Sequence, residues 1–326
     1  MAHELPYIAA IGEAIHLEME RDESVLYFGQ NMATTENEPF VDAFGKDRVR
    51  VTPISETAEI GIAIGAALSG FRPVVALYMA EFMLVAMDQV LNEAPRFRAM
   101  SGGQVKVPIV LKAGYGFTAG WAGQHTGTIN ALFMGVPGLK VVVPSTAADA
   151  KGLMATAIRD DNPVVYLHNY LLTLEHGEVP DGEYLVPFGQ AAIRREGGDV
   201  TIVATGWCVD RALNAAEELA KEGVQAEVID PRTLAPLDTK TILESVEKTG
   251  RLVLVDQSTR HASAATVIAG EVAEHGFSSL KAPIVQVTAL DATVPYSQPL
   301  EAFVMPDEDK VVAAVRQVLG FAPVTA

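Results

Sequence analysis

Thr52-Pro-Ile-Ser-Glu-Thr-Ala-Glu-Ile-Gly-Ile-Ala-Ile-Gly-Ala-Ala-Leu-Ser-Gly-Phe-Arg-Pro-Val74 decides how the chain is read. It leaves a strand-like segment at Arg48–Val51, runs through a helix over about residues 55–68, and enters another strand at Arg72–Leu77. Glu56 falls at the strand-to-helix turn. A carboxylate in a first helical turn is favoured by the helix dipole, by about 0.3–1 kcal/mol. A carboxylate there can also point from a strand edge into a ligand cleft, because open parallel sheets bind ligands beyond the carboxyl ends of their strands. Glu59 lies in the same turn and weakens the distinction. Gly61 and Gly65, with Ala58 and Ser69, form a small-residue stripe at helical spacing that lets another backbone approach, within this chain or on a partner.

The same alternation extends in both directions. Upstream, residues 5–22 read as an amphipathic helix and Val25–Phe28 as a strand, followed by a polar loop near Thr34–Pro39. Downstream, Phe82–Met100 reads as one long helix ended by Gly102 and Gly103, and Val107–Leu111 as a strand feeding a glycine-rich loop. Leu139–Val143, a helix over 147–159 and Pro163–Leu167 follow. Apolar runs of this length between helices indicate parallel strands buried on both faces. The second half repeats the pattern, with strands at 199–205, 225–229, 251–256 and 284–287. Helices are expected at 208–222, 240–248, 309–319 and from an N-cap at Ser263 to His275. Glu175–Pro187, rich in Gly, Pro and charge, marks the join. The expectation is an α/β protein of two open, mostly parallel-sheet domains, residues 1–180 and 188–326.

Composition narrows the function. The 326 residues are 49% hydrophobic, enough for two cores, since single cores stop growing at roughly 250–300 residues. A formal net charge of -17 argues against a nucleic-acid ligand. The single cysteine, Cys208, rules out an intrachain disulfide and suits a reducing compartment. Residues 1–20 carry Glu4, Glu13, Glu18 and Glu20, which fits neither a signal nor a transit peptide, so the cytoplasm is the expected location. The longest stretch without Lys, Arg, Asp or Glu, Ala113–Leu139, holds seven glycines and reads as loop, so no membrane span is expected.

Three turns of the first domain converge on one sheet edge: the turn bearing Glu56, the turn Tyr78–Phe82 and the loop Gly114–Thr128. Phe82 fits either a core position, with Val85, Met87, Val90 and Leu91, or a platform for a planar ring. Asp88 is costly to bury without a partner. His125 ends Gly-Trp-Ala-Gly-Gln-His in a long loop, where function concentrates. Dinucleotide, phosphate-loop, serine-hydrolase and zincin motifs are missing from the sequence.

Taken in order, Thr52-Pro-Ile-Ser-Glu, Gly-Ile-Ala-Ile-Gly-Ala-Ala, Asp88-Gln-Val-Leu-Asn, Gln124-His125, Val136-Pro-Gly-Leu-Lys-Val-Val, Ala157-Ile-Arg-Asp-Asp-Asn-Pro-Val, Ile229-Asp-Pro-Arg-Thr-Leu and Val294-Pro-Tyr resemble the beta subunits of thiamine-diphosphate-dependent 2-oxoacid dehydrogenases, the pyruvate, branched-chain 2-oxoacid and acetoin group. The match runs from about residue 5 to residue 320. It implies a transketolase-like pyrimidine-binding domain followed by a transketolase C-terminal-type domain. Glu56 is then the glutamate that hydrogen-bonds N1′ of the aminopyrimidine and turns the ring into a base for the C2 proton. Phe82 packs against the pyrimidine, with Tyr78 and Asp88 in the same cofactor-binding region. His125 stands near the reacting carbon. Ile109, Ala157, Ile158, Asp160 and Asn162 match a segment that holds a structural potassium ion in several members. The family's Gly-Asp-Gly…Asn motif for Mg²⁺ and diphosphate does not occur here and normally lies on an alpha subunit. The resemblance therefore implies an α2β2 heterotetramer that decarboxylates a 2-oxoacid, or cleaves an acyloin, and passes the acyl group to a lipoyl acyltransferase.

Several family acids are replaced: Gly-Glu by Gly29-Gln30, the acid usually following the Arg-Pro strand in Ala76-Leu-Tyr-Met, Val-Asp-Glu by Val255-Asp256-Gln257, and Leu-Glu by Leu167-His168. The common Gln-His-Ser is Gln124-His125-Thr126. Glu56 and Asp88 remain. These departures argue against carrying over proton communication between paired sites. They keep open a split transketolase or acyloin synthase that uses the same cofactor with a carbon acceptor and no lipoyl partner.

Overall fold

The computed structural model describes residues 2–30, 34–118 and 120–320. It divides into two compact units, Met1–Tyr115 with Leu132–Phe188, and Gly116–Ala131 with Gly189–Ala326.

The first unit holds six parallel strands in the spatial order Lys140–Val142, Val164–Asn169, Val110–Tyr115, Arg72–Met79, Val25–Gln30 and Val49–Thr52. Val110–Tyr115 and Val164–Asn169 are buried at every residue, as a sheet covered on both faces requires. From Val25–Gln30 the chain steps to Val49–Thr52 on one side. The helix Glu56–Leu68 then returns it to Arg72–Met79 on the other side. Strand order reverses at this point, so Glu56 opens a helix at the topological switch where open α/β sheets bind ligands. Helix Glu56–Leu68 packs on strand Arg72–Met79 and on the segment Ala80–Ala86.

On the opposite part of the unit, helices Tyr7–Arg21 and Ala147–Arg159 pack together. Glu18, 1% exposed, lies between them. Arg159 reaches it through Nε and Nη2 at 2.6–3.0 Å, and Arg21 Nε donates to it at 2.8 Å. A buried carboxylate survives only with such charge-assisted partners. A two-stranded antiparallel ribbon, Ala2–Pro6 with His176–Pro180, adds to this unit.

The second unit holds five strands in the order Val285–Ala289, Leu252–Thr259, Val200–Ala204, Ala226–Asp230 and Ala192–Arg195; the last is antiparallel. Side chains alternate between two cores, the period-2 signature of a strand. Val200, Ile202 and Ala204 pack with helices Cys208–Lys221 and Glu308–Val318, whereas Val203, Leu252 and Leu254 pack with Thr239–Thr249 and Ala264–His275. Ser263 caps the last of these helices by accepting from the Thr266 amide at 3.1 Å, the N-cap expected from sequence.

Two expected elements differ. The helix read as Phe82–Met100 is a 3₁₀ segment Ala80–Ala86, a π-wound segment Asp88–Glu93 and a short helix Phe97–Met100. These windings shift the phase of the apolar positions. Val90 is buried, yet Val85 is 67% exposed. Pro95, without an amide hydrogen, separates the last two pieces. The polar loop near 34–39 lies in a helix, Thr34–Arg48, that kinks at Gly45. Phe40 stacks on Tyr27 at 4.7 Å, and Phe44 lies 4.9 Å from His16. The i, i+4 pair Phe40 and Phe44 was the helical signal, and Pro39 obscured it.

Candidate active site

Two strand ends and one helix start meet around Glu56. Gln30 closes strand Val25–Gln30, Thr52 closes Val49–Thr52, and Glu56 is the first residue of its helix. Gln30 Nε2 donates to Glu56 Oε1 at 3.2 Å and to Glu59 Oε2 at 2.9 Å. The Thr52 hydroxyl donates to Glu59 Oε1. Glu56 is 8% exposed and Glu59 only 2%. Burial pushes the Glu59 carboxyl above its usual range; the hydrogen bonds from Thr52 and Gln30 oppose this, and the nearby Glu56 adds to it. Glu56 therefore reaches the surface of the switch point, while Glu59 is sealed behind it.

The neighbouring turn is tied to this helix. Thr57 Oγ1 donates to the Val85 carbonyl at 2.9 Å, fixing the 3₁₀ segment that carries a half-buried Phe82. Tyr78, half-buried at the end of its strand, has its carbonyl held by the Tyr170 hydroxyl. Tyr170 lies so close to Gly114 that a Cβ there would stand 2.2 Å from the ring Cζ. His168, 5% exposed, meets the Tyr170 ring edge-on at 5.8 Å. Burial, with the Lys112 charge, pushes its imidazole well below the usual range, so it is neutral. Asp88 opens the π-wound segment, is exposed, and accepts from the Asn92 amide at 2.9 Å.

The loop bearing His125 folds with the second unit. His125 is half-buried, its amide donating to the Ala122 carbonyl at 3.3 Å. Thr126 Oγ1 donates to the same carbonyl at 2.5 Å. Ala122 adopts φ 55, a left-handed conformation uncommon for alanine, and makes this tight turn. The Trp121 ring, 43% exposed, meets the His125 ring edge-on at 6.4 Å. A cavity of about 250 Å³ lies in this unit beside the loop, with Phe117, Thr126, Thr128, Gln257, Ser258 and Thr293 among its lining.

The segment matched to a potassium site is engaged by protein donors. The carbonyls of Ile158 and Asp160 accept from the Arg72 guanidinium at 3.1 and 3.0 Å. Ile109 O accepts from Val164 N, Ala157 O from Asp160 N, and Asn162 Oδ1 from Arg98. Arg72 thus supplies positive charge at the Ile158 and Asp160 carbonyls. Among the described residues, no group of three or more His, Cys, Asp or Glu could hold a metal ion. Among them, too, no helix is long and apolar enough to cross a membrane.

The transketolase pyrimidine-binding domain matches residues 3–170, and the transketolase C-terminal domain residues 189–311. The beta subunit of acetoin:2,6-dichlorophenolindophenol oxidoreductase from Cupriavidus necator is 46% identical, covering 98% of each chain. The Bacillus subtilis protein of the same name is 41% identical over 98% of each chain. The 2-oxoisovalerate dehydrogenase beta subunit of Bacillus subtilis is 39% identical over 97% of this chain and 99% of its own. The chain belongs to the beta-subunit family of thiamine-diphosphate-dependent 2-oxoacid and acetoin dehydrogenases. A beta subunit of this family works with an alpha subunit. A split-gene transketolase, solved as an inactive beta4 tetramer, has a TM-score of 0.82 at 24% identity over 97% of this chain and 98% of its own, which shows the shared fold alone.

Within the first unit of this beta subunit, Glu56 is brought together with Gln30, Thr52 and Glu59, and its helix is tied to the segment of Phe82. The sequence reading treated Gln30 as a departure and Glu59 as a distraction. Their spacing carried a signal nonetheless: Glu59 is i+3 from Glu56, so both acids share one helical face. Trp121 was quoted within its motif without a role, and the structure sets it against His125.

Proposed function

We propose that this beta subunit supplies the pyrimidine half of the active site of an α2β2 enzyme that cleaves the carbon–carbon bond of an acyloin such as acetoin, or decarboxylates a short 2-oxoacid, and passes the acyl unit to a lipoyl acyltransferase. The observation that carries the reading is the Glu56 carboxylate, held by Gln30 at the switch point and 8% exposed. When bound, thiamine diphosphate supplies a carbanion at C2 of its thiazolium and an electron sink for the bond being broken. The residues fit its aminopyrimidine: a carboxylate for N1′ and, on the adjoining segment, the Phe82 ring to pack on a planar base. Glu56 holds a proton at N1′, which makes the pyrimidine amine a base. Tyr78 and Asp88 belong to the surrounding wall of the cofactor region. His125 donates to oxygen on the substrate as negative charge develops there. Mg²⁺ and the diphosphate belong to the alpha subunit, and no step depends on potassium. The stripe Ala58, Gly61, Gly65 and Ser69 is a packing face for a partner: a Cβ on Gly65 would meet nothing within 4 Å in this chain, and Ile62 beside it is 62% exposed.

Identities of 39–46% to dehydrogenase subunits favour this reading over a split transketolase. Titration calorimetry tests the split site. The isolated chain binds thiamine diphosphate weakly, and adding the alpha subunit gives tight, Mg²⁺-dependent binding. Tight binding by the isolated chain overturns the proposal. Turnover of acetoin, pyruvate and branched 2-oxoacids by the reconstituted complex, with and without a lipoyl domain, then assigns the substrate and acceptor.

A further inference from the structure

We infer that Glu59 is a positioning residue for Glu56: through the shared Gln30 amide it holds the proton of the buried pair and confines the pocket's negative charge to Glu56. The inference rests on the reading of Glu56 as the carboxylate that meets the pyrimidine.

Gln30 Nε2 carries two hydrogens, and both are committed, one to Glu56 Oε1 at 3.2 Å and one to Glu59 Oε2 at 2.9 Å. The two carboxyls are thus joined through a single nitrogen in a pocket where one is 8% and the other 2% exposed. Two anions in that setting repel without water to screen them, and such a pair takes up one proton in common. Geometry selects its holder. Glu59 is the more buried, and its Oε1 meets the Thr52 hydroxyl, which itself reaches the Gly29 carbonyl at 3.5 Å. With the proton on Glu59 Oε1, the carboxyl O–H donates to Thr52 Oγ1 and the Thr52 hydroxyl donates to Gly29 O. Every hydrogen in the chain then has an acceptor. With the proton on Glu56 instead, Glu59 is a sealed anion with two neutral donors.

The direction of the Glu59 shift agrees. Burial is its largest cause, and Glu56 is the charged group that acts on it. Tyr27, Arg50, Arg72, Tyr78, Glu81, Asp88 and Glu93 are the other charged or titratable groups on neighbouring elements, and Glu56 is the charged group among the causes of the Glu59 shift. The consequence concerns the charge around Glu56. While Glu59 is neutral, Glu56 is a lone carboxylate steadied by one amide. When rising pH removes the Glu59 proton, a second negative charge arrives behind Gln30. That charge faces the site where the pyrimidine is proposed to meet Glu56, and C2 proton exchange changes with it.

The test compares Glu59→Gln with wild type in the complex with the alpha subunit. Glutamine imitates the neutral acid: its oxygen accepts from Gln30 and its amide donates to Thr52. First, ¹³C NMR follows side-chain carboxyls in the cofactor-free complex with labelled glutamate. Wild type shows a glutamate carboxyl titrating above the ordinary value of 4.5, and that signal is missing in Glu59→Gln. Second, C2 proton exchange is followed against pH with thiamine diphosphate and Mg²⁺ present. Glu59→Gln stays within about threefold of wild type on the acidic side and loses the transition that wild type shows on the alkaline side. Glu59→Leu, which can neither accept from Gln30 nor donate to Thr52, loses exchange about tenfold or more across the range. A raised carboxyl that persists in Glu59→Gln, or superimposable pH profiles, overturns the inference. If Glu56→Gln leaves exchange unchanged, the underlying reading of Glu56 fails. If Glu56→Gln abolishes exchange while Glu59→Gln alters neither titration, the Glu59 inference alone fails.

Discussion

Glu56→Gln separates folding from chemistry because the two draw on different atoms of one side chain. The side-chain hydrogen bond to Glu56 runs from Gln30 Nε2 to Oε1. Glutamine offers an oxygen of the same shape at that position, so the bond survives. The residue is 8% exposed, so the new amide reaches solvent or ligand without being stranded. Removing the charge also relieves the repulsion that Glu59 feels. Folding stability should change by about 1 kcal/mol or less, the scale of one neutral hydrogen bond. The chemistry should change far more. A positioned proton-transfer group contributes about 10²–10⁴-fold, which is about 3–5 kcal/mol of barrier. The assay is deuterium exchange at C2 of thiamine diphosphate in the complex with the alpha subunit and Mg²⁺, quenched in acid and read by proton NMR, with thermal unfolding of the same sample alongside. Exchange within about threefold of wild type in a folded complex refutes the role of Glu56. A large fall in melting temperature instead shows that the carboxylate charge holds the switch point together, which the Gln30 geometry excludes.

Other perturbations test the surrounding structure. His125→Ala should lower kcat of the reconstituted complex by about tenfold or more while the calorimetric Kd for the cofactor changes little; unchanged turnover with the true acceptor removes His125 from the reaction. Gly114→Ala drives a Cβ to 2.2 Å from Tyr170 Cζ, so the ring must leave the Tyr78 carbonyl; the expected cost is about 1–3 kcal/mol by urea unfolding, much of it recovered by adding Tyr170→Ala. Arg159→Ala removes the bidentate partner of the buried Glu18 but leaves Arg21, so the loss should be about 1–3 kcal/mol in the same assay. Because the folded Glu59 carboxyl lies above its unfolded value, its contribution to stability is full below about pH 4.5 and is lost as pH rises through the folded value. Thermal unfolding against pH should therefore show wild type falling relative to Glu59→Gln as pH rises from 4.5, and parallel curves would contradict the shift.

The strands were legible because a sheet covered on both faces leaves short apolar runs, as at Val110–Tyr115 and Val200–Ala204. The motif around Glu56 was legible as a strand end followed by a helix start. The segment after Phe82 was not, because the 3.6-residue template has no signature for consecutive 3₁₀ and π winding, and the exposed Val85 fits it as well as the buried Val90 does. The ribbon formed by Ala2–Pro6 and His176–Pro180 was missed because its partners are about 170 residues apart and pairing at that separation leaves no local pattern. The Gln30 bridge was hidden for a related reason. Each of its bonds joins a strand end to a helix more than twenty residues later, and an amide in place of an acid reads, in one dimension, only as a loss.

That apparent loss changes meaning in three dimensions. The family resemblance has Gln30 in place of an acid at the end of the first strand, which by itself leaves Glu56 without an acidic neighbour. The structure returns one from the other direction: Glu59, one helical turn along, occupies the far side of the same amide. The pocket still contains two carboxyls, but the second has moved from a sheet edge into the helix interior at 2% exposure. Ala76, His168 and Gln257 are not acids, and burial keeps His168 neutral. Glu59 is linked to Glu56 through the Gln30 amide and, on its other oxygen, to the Thr52 hydroxyl. The substitutions together replace an acid at the sheet edge with one enclosed behind Gln30. On this argument each active site of the assembled enzyme titrates on its own, and a complex carrying one wild-type and one Glu59→Gln beta subunit should show the plain average of the two pH profiles.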